Sequence, residues 1–216
     1  MGFYSDNVVP RLVDWTCSTA ALDHWRSKVC EGLKGDMVEI GFGSGTNINQ
    51  YPPALTHVYA IEPAPLARKL ARKRVARSPI AIEHVGLDGQ ALPLANESCD
   101  SALSTFTLCT IDDPGAALAE VMRVLRPGGE LHFLEHGIAP DPSTAKWQRR
   151  LNGVEQRLAG GCQLTRDPLA LLRDAGFDLQ WSEQCYAKGP KPWSYFTVGV
   201  AVKAHRGDEH DSEHTN

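Results

Sequence analysis

Short apolar runs alternate with longer mixed stretches between about residue 37 and residue 204. The runs are rich in β-branched and aromatic residues, which is typical of strands. They read MVEIG, HVYAIE, IAIEHV, a run ending in SALSTF, and ELHFLEH. The mixed stretches at 65–77 and 114–126 predict helices, and the second carries an apolar stripe through Ala117 and Val121.

Strands that alternate with helices predict a parallel sheet with helices on both of its faces. Two further helices are predicted at 144–158 and 167–175, and two β-rich segments follow at 177–186 and 193–204. Because little room for a helix separates these last two segments, they predict a terminal antiparallel hairpin. The fold class is therefore α/β, a Rossmann-like doubly wound sheet.

A chain of 216 residues suits one domain of this kind. We expect that domain to span 35–204, because the first 34 residues look helical and amphipathic and precede the first strand. They are predicted to form an N-terminal cap over a site. The last stretch, 205–216, is polar and rich in histidine and acidic residues, which is typical of a disordered tail.

The charge balance excludes one broad class of partner. The chain has 22 Lys and Arg against 26 Asp and Glu, a formal net charge of -4, whereas tight binding to nucleic acid depends on clustered positive charge. The helix at 65–77 is the basic exception. We interpret it as a solvated face, with contact to a membrane surface or an acidic partner as the minority alternative.

The six cysteines are scattered without a C-x-x-C pair, so no metal site is predicted. No apolar run reaches the roughly 20 residues that a membrane-spanning helix needs. The N-terminus also lacks the basic-then-apolar order of a secretion signal. We therefore expect reduced thiols and a cytoplasmic location.

The strongest chemical motif is EIGFGSGT at 39–46, where the first strand is predicted to turn into the first helix of the sheet domain. Glycines in such a turn let the backbone approach a ligand, and free N–H groups favour an anionic part of that ligand. The spacing is G-x-G-x-G. A dinucleotide fingerprint would need Gly or Ala at position 46, where Thr46 stands instead.

Two carboxylates follow at the ends of the next two strands. Glu62 ends the second strand and can accept hydrogen bonds from both hydroxyls of a ribose, as acids do in dinucleotide folds. Asp88 follows the third strand and can accept an adenine amino group, although a turn-forming Asp-Gly pair is the alternative. Together with the glycine turn, these residues predict nucleoside binding.

Four motifs in this order, EIGFGSG, AIEP, LDGQALPL and VLRPGGELHF, resemble class I S-adenosylmethionine-dependent methyltransferases over about 35–204. A finer pattern, LSTFTLCTIDDP, LEHG and AGGCQLTRDP, resembles the methyltransferase-like seven family of thiol methyltransferases. It is more distantly similar to quinone-biosynthesis C-methyltransferases and bacterial phospholipid N-methyltransferases. The resemblance implies a seven-stranded sheet with an antiparallel last strand, S-adenosyl-L-methionine as cofactor and a small-molecule acceptor.

The resemblance also implies which residues contact each part of the cofactor. They are Glu39, Gly41, Gly43 and Gly45 at the methionine end; Glu62 at the ribose; Asp88, Gly89 and Gln90 around the adenine; and Thr105, Phe106 and Thr107 under the sulfonium. Phe42 departs from the family pattern, because many relatives carry cysteine or a small residue there. The larger side chain of Phe42 leaves less room in the glycine loop, but the glycines of the motif are still present.

Methyl transfer from a sulfonium is an in-line displacement, so the protein mainly has to position the reactants and exclude water. His136, after the fifth strand, is the candidate general base, and a structural histidine at the strand end is the alternative. Strand alternation points Glu135 the other way. Cys109 is interpreted as a buried, inert thiol. Cys162 and Arg166 either shape the acceptor pocket or belong to a helix-capping loop with Thr165 or Asp167 as the cap.

Two other functions stay open on the sequence. An NAD(P)-dependent oxidoreductase uses a related sheet, but its fingerprint fails at Thr46 and Tyr195 lacks the lysine of a Tyr-x-x-x-Lys pair. A non-catalytic module that binds the nucleoside to regulate a partner would carry the same motifs. The sequence fixes neither the acceptor atom, among sulfur, oxygen, nitrogen and carbon, nor the oligomeric state.

Overall fold

The computed structural model describes Arg11, Asp14 and residues 19–204, so the predicted tail and most of the first 18 residues lie outside the described part. The helices are α1 (Ala20–Cys30), α2 (Pro65–Val75), α3 (Pro114–Val124), α4 (Pro142–Leu158), α5 (Pro168–Asp174) and α6 (Lys191–Ser194). The strands are β1 (Gly35–Ile40), β2 (Leu55–Ile61), β3 (Ala81–Gly86), β4 (Cys99–Thr105), β5 (Leu125–His136), β6 (Asp178–Tyr186) and β7 (Tyr195–Val202). None of these helices combines the length and apolar character that crossing a membrane requires.

Seven strands form one sheet in the order β3-β2-β1-β4-β5-β7-β6. The neighbouring pairs among β1 to β5 are parallel, and β7 runs antiparallel to both β5 and β6. The predicted fold class, a mostly parallel seven-stranded sheet with an antiparallel last strand, is confirmed. The terminal hairpin is confirmed by the pairing of β6 with β7.

Helices cover both faces of the sheet because both faces are apolar. On one face, Val121 of α3 and Leu172 of α5 belong to the same buried cluster as Phe133 of β5. On the other face, Val29 of α1 belongs to a buried cluster with Leu103 of β4. Each of these side chains is at most 1% exposed, and full burial of such a side chain contributes about 1.5–3 kcal/mol.

Three helices begin with the same local arrangement, an aspartate N-cap followed by proline. Asp113, Asp141 and Asp167 each accept hydrogen bonds from backbone amides of the first turn. The capping role predicted for Asp167 is confirmed. The predicted end of α3 at residue 126 is wrong, because Leu125 already pairs with Cys99 in the sheet and β5 begins there.

The strand order reverses beside β1. The chain moves outward from β1 through β2 to β3 and then returns to place β4 on the other side of β1. In a doubly wound sheet, the loops at the carboxyl ends of the strands form a ligand-binding crevice at such a reversal. The glycine turn after β1 and the loop after β4 both lie at this point. The helix predicted to follow the glycine turn is wrong, because over the described residues 41–54, between β1 and β2, the chain forms only a single 3-10 turn, Ile48–Gln50.

Candidate active site

The glycine turn after β1, residues 41–45, uses backbone angles that other residues rarely adopt. Gly41, Gly43 and Gly45 have φ angles of 68°, 57° and 75°, and glycine enters this left-handed region without a Cβ clash. A Cβ on Gly41 would lie 1.9 Å from Thr107 Oγ1, so the turn packs directly against the loop after β4. Among the described residues other than its two chain neighbours, a Cβ on Gly43 would contact only the Gly41 carbonyl oxygen, at 3.8 Å, so no described side chain fills this side of the turn.

Glu62 lies beside this turn and is 7% exposed. Its Oε2 accepts a hydrogen bond from the Gly43 amide at 2.7 Å, and its Oε1 accepts one from the Ala64 amide at 2.8 Å. Burial raises the pKa of Glu62 above its ordinary value, while the two backbone donors oppose that shift. The structure thus brings Glu62 and the glycine turn together at the carboxyl edge of β1 and β2.

Glu39, the last-but-one residue of β1, is buried behind the turn. Asn47 Nδ2 donates to its Oε1 at 2.7 Å, and the Tyr51 hydroxyl donates to its Oε2. Burial raises the pKa of Glu39 to about 7, although Tyr51, Asn47 and the positive charge of Arg26 act in the opposite direction. The protein therefore satisfies Glu39 with its own donors.

Arg26 of α1 is a site residue that the sequence analysis missed. It is 2% exposed and donates to Asn47 Oδ1 and, at 3.5 Å, to Thr105 Oγ1. Its guanidinium carbon lies 5.8 Å from the centre of the Phe106 ring. No local pattern distinguishes this arginine from others on an amphipathic helix, because its burial results from packing of α1 against the sheet.

Asp88, Gly89 and Gln90 form a turn after β3. Asp88 Oδ1 accepts a hydrogen bond from the Gln90 amide at 2.8 Å, which makes Asp88 a turn former of the Asx type. A Cβ on Gly89 would lie 3.2 Å from Ile111 Cδ1 and 3.7 Å from Ile40 Cγ2. The turn therefore packs against the end of β1, and a contact of Asp88 with a nucleobase stays a prediction.

The loop after β4 carries the most strained backbone of the site. Phe106 has a φ angle of 55°, which costs a non-glycine residue about 1–2 kcal/mol and persists where the surroundings enforce it. Glu135 of β5 enforces it here. Its carboxylate accepts hydrogen bonds from Ser104 Oγ at 2.7 Å and from the amides of Thr107 and Cys109 at 3.1 Å each. Glu135 thus points away from His136, as predicted, and organises this loop.

His136 ends β5 on the other side of the loop. Its ring centre lies 5.0 Å from that of Phe106 and 4.9 Å from that of Phe196. Its Nε2 lies 3.1 Å from the carbonyl oxygen of Trp193, and its Nδ1 faces the thiols of Cys109 and Cys162. Burial acts to lower the pKa of His136, but its contact with Cys109 and the charge of Glu135 raise it overall.

The segment around Cys162 is fastened to the loop after β4. The Gln163 amide donates to the Cys109 carbonyl oxygen at 2.7 Å. Arg166 Nη1 donates to the carbonyl oxygens of Leu108 at 2.6 Å and Ile111 at 2.7 Å. The two segments therefore form one wall of the crevice, next to the Phe106 and His136 rings.

Comparison with known proteins gives consistent findings. The family described as "Methyltransferase domain" matches residues 38–133. Thiol S-methyltransferase TMT1B of Rattus norvegicus is 34% identical over 77% of this chain and 68% of its own length. Thiol S-methyltransferase TMT1A of Homo sapiens is 35% identical over 79% of this chain and 71% of its own length. The crystal structure of an S-adenosylmethionine-dependent methyltransferase from Mesorhizobium loti matches the fold with a TM-score of 0.62 at 19% identity, covering 85% of this chain and 98% of that one.

Proposed function

The chain belongs to the class I S-adenosylmethionine-dependent methyltransferases, and from that premise we propose that it methylates the sulfur atom of a small thiol. The enzyme class and the cofactor follow from family membership. The choice of a thiol rests on relatives named thiol S-methyltransferases that are 34–35% identical to this chain. The family assignment disfavours the oxidoreductase and the non-catalytic alternatives.

The described residues fit the cofactor. When bound, S-adenosylmethionine supplies a methyl group on a positively charged sulfur, which is already an activated leaving group. The side of Gly43 that no described side chain fills provides space for it. In this proposal Glu62 accepts hydrogen bonds from the ribose hydroxyls through the lone pairs that its two amide contacts do not use. Arg26 is a buried cation that contacts Asn47, two residues after the turn. There it can pair with the carboxylate of the methionine part of the cofactor.

For the other predicted cofactor residues, the proposal keeps the predicted contacts and changes only the role of Glu39. Glu39 acts by orienting Asn47 and Tyr51, and Gly41 and Gly45 shape the turn. Asp88, Gly89 and Gln90 remain the proposed adenine contacts. Thr105, Phe106 and Thr107 remain the proposed floor beneath the sulfonium.

An apolar wall next to that floor suits a thiol acceptor. Phe106, Phe196 and His136 contact one another through their rings, and such a wall excludes water from the reacting atoms. Correct positioning alone can lower the barrier by about 7–11 kcal/mol. A free thiol has a pKa of about 8.5, so only modest assistance to its deprotonation is needed, and His136 is the titratable side chain placed to give it.

A cytoplasmic location and a small-molecule acceptor are part of the same proposal. The cytosol keeps thiols reduced, which supplies the acceptor in its reactive form. It also keeps Cys109 and Cys162 reduced beside the proposed site.

The structural observation that supports the proposal is the close packing of Gly41 on Thr107, which brings the glycine turn next to the wall formed by Phe106, Phe196 and His136. The test is a methylation assay of the full chain with small thiols, phenols and lipid amines at equal concentration, each product identified by mass spectrometry. We expect S-methylated products with a rate at least tenfold above the phenols and amines. Preferential methylation of a phenol or an amine would refute the choice of a thiol.

A further inference from the structure

Three potential metal ligands lie close together, and one of them, His136, belongs to the apolar wall described above. Cys109 lies in the loop after β4, His136 ends β5, and Cys162 lies beyond α4. Their ligand atoms all lie within 4.8 Å of one another. Both sulfur atoms belong to side chains that are at most 5% exposed.

The separations match those of ligands around one tetrahedral ion. Cys109 Sγ and Cys162 Sγ are 3.7 Å apart, and His136 Nδ1 lies 3.8 Å from the first sulfur and 3.7 Å from the second. Zinc bonds of about 2.3 Å to sulfur and about 2.05 Å to nitrogen place tetrahedral ligands about 3.6–3.8 Å apart. The three atoms therefore surround a point that zinc can occupy without a large rearrangement.

The surroundings hold these ligands in place. His136 Nε2 lies 3.1 Å from the Trp193 carbonyl oxygen. When that nitrogen carries the proton and donates to Trp193, Nδ1 is free to bind a metal, as in most metal-ligating histidines. The Cys109 amide donates to Glu135 and the Cys109 carbonyl accepts from the Gln163 amide, so both cysteine-bearing segments are fixed relative to each other.

We propose that Cys109, Cys162 and His136 bind a zinc ion whose fourth coordination position takes the sulfur of the acceptor. Three protein ligands with one open position are typical of catalytic zinc sites, and two thiolates with one imidazole favour zinc over harder ions. The sequence analysis expected no metal, because the cysteines form no C-x-x-C pair. The zinc site stands on the geometry, whereas its use for a thiol acceptor rests on the proposed function.

The chemistry of the step balances. On coordination the acceptor S–H bond breaks, its proton leaves to solvent, and the sulfur keeps the electron pair and donates it to zinc. Coordination to zinc deprotonates a thiol outright, so the acceptor stays a thiolate at neutral pH. A second lone pair of the zinc-bound sulfur attacks the methyl carbon. The bond between that carbon and the sulfonium sulfur breaks, and S-adenosylhomocysteine leaves with its electrons. In this account His136 assists deprotonation as a zinc ligand, in place of a free general base.

The first test measures zinc directly, in the full chain with His205, His210 and His214 changed to alanine so that tail histidines do not compete. The metal is removed with a chelator under reducing conditions and Zn²⁺ is titrated back against a chromophoric chelator. We expect one zinc ion per chain. Cys109→Ser and Cys162→Ser should each weaken binding at least about 100-fold, since losing an outer-shell partner alone costs 10–100-fold. Cys185→Ser, with its cysteine outside the cluster, is the matched control and should bind as the parent does.

A second measurement uses the parent protein, so it does not require that any cysteine variant folds. The X-ray absorption spectrum of the zinc-loaded parent should show two sulfur ligands and at least one nitrogen ligand. A shell of nitrogen and oxygen alone would overturn the proposal. So would peptide mapping that finds Cys109 joined to Cys162 in a disulfide, with no zinc bound, in protein purified without reductant.

Turnover separates this inference from the proposed function. We expect chelation to lower thiol methylation at least tenfold and added zinc to restore it, with binding of S-adenosylhomocysteine unchanged. Thiol methylation that persists undiminished without zinc would overturn the role of the metal and leave the proposed function intact. Failure of every thiol to react would refute the proposed function, while the titration still decides whether zinc binds.

Discussion

Several residues of this site are charged or hydrogen-bonding side chains that are buried away from water. Glu39 shows this most clearly, because the residue is 1% exposed and its carboxylate accepts hydrogen bonds from Asn47 and Tyr51 beside the positive charge of Arg26. Such a group is costly to ionise when the chain is folded. Its ionisation should therefore be visible in the stability of the whole chain.

The pH dependence of stability has a definite sign for Glu39. Its pKa is about 7 in the folded chain, against 4.5 ordinarily, so between these values the unfolded chain loses the proton and the folded chain keeps it. Stability from this group is fully present below pH 4.5 and falls by about 3 kcal/mol as pH rises to 7. We expect the stability advantage of the parent over Glu39→Gln to shrink by about 2–3 kcal/mol over this range.

Urea denaturation at several pH values measures this difference. Glu31→Gln, at an exposed position after α1, is the matched control and should run parallel to the parent. Parallel curves for Glu39→Gln as well would show that Glu39 titrates no differently in the folded and unfolded chain. That result would remove the buried carboxylate from this description of the site.

At the scale of elements, the crevice depends on how loops are tied to one another. Arg166 links the segment after α4 to the loop after β4 by donating to the carbonyl oxygens of Leu108, Ile111 and Asp112. A lysine has one ammonium group and lacks the planar fork that reaches several carbonyls at once. We expect Arg166→Lys to lower the free energy of unfolding by about 1–2 kcal/mol.

The control for this prediction is Arg173→Lys on α5, where the side chain contacts one carbonyl of its own helix. It should change stability by less than about 0.5 kcal/mol. Chemical denaturation of both variants at neutral pH is sufficient. Equal stability of the two variants would mean that Arg166 does not tie the segments together.

The elements themselves were predictable because they are local. Strand-like runs, proline and glycine positions and aspartate caps lie within a few residues of one another, and they predicted the sheet, the hairpin and the cap at Asp167. The end of α3 was misjudged because pairing of Leu125 with Cys99 is a tertiary contact. Local patterns do not report such contacts.

The site was only partly predictable for the same reason. The glycine turn and Glu62 lie at strand ends, and parallel strands bring those ends to one edge of the sheet. Arg26 lies on helix α1, which precedes the first strand in the sequence. Cys109, His136 and Cys162 are separated by 27 and 26 residues, so only the folded chain shows that they meet.

At the scale of the whole molecule, ligand binding and folding are linked. A ligand that binds only the folded chain stabilises it by about 2.7 kcal/mol at 100 times its dissociation constant. We expect S-adenosylhomocysteine to raise the melting temperature in this way and NADH to leave it unchanged. Thermal denaturation with each ligand checks this, and stabilisation by NADH alone would restore the oxidoreductase alternative.

The proposed function depends on binding of the cofactor by the glycine turn and Glu62. Calorimetric titration with S-adenosylhomocysteine tests this binding most directly. We expect one binding site in the parent, binding more than tenfold weaker in Glu62→Ala, and unchanged binding in Glu83→Ala, an exposed glutamate on the neighbouring strand β3. Parent-like affinity in Glu62→Ala would refute the ribose assignment. No binding to the folded parent would contradict the account as a whole.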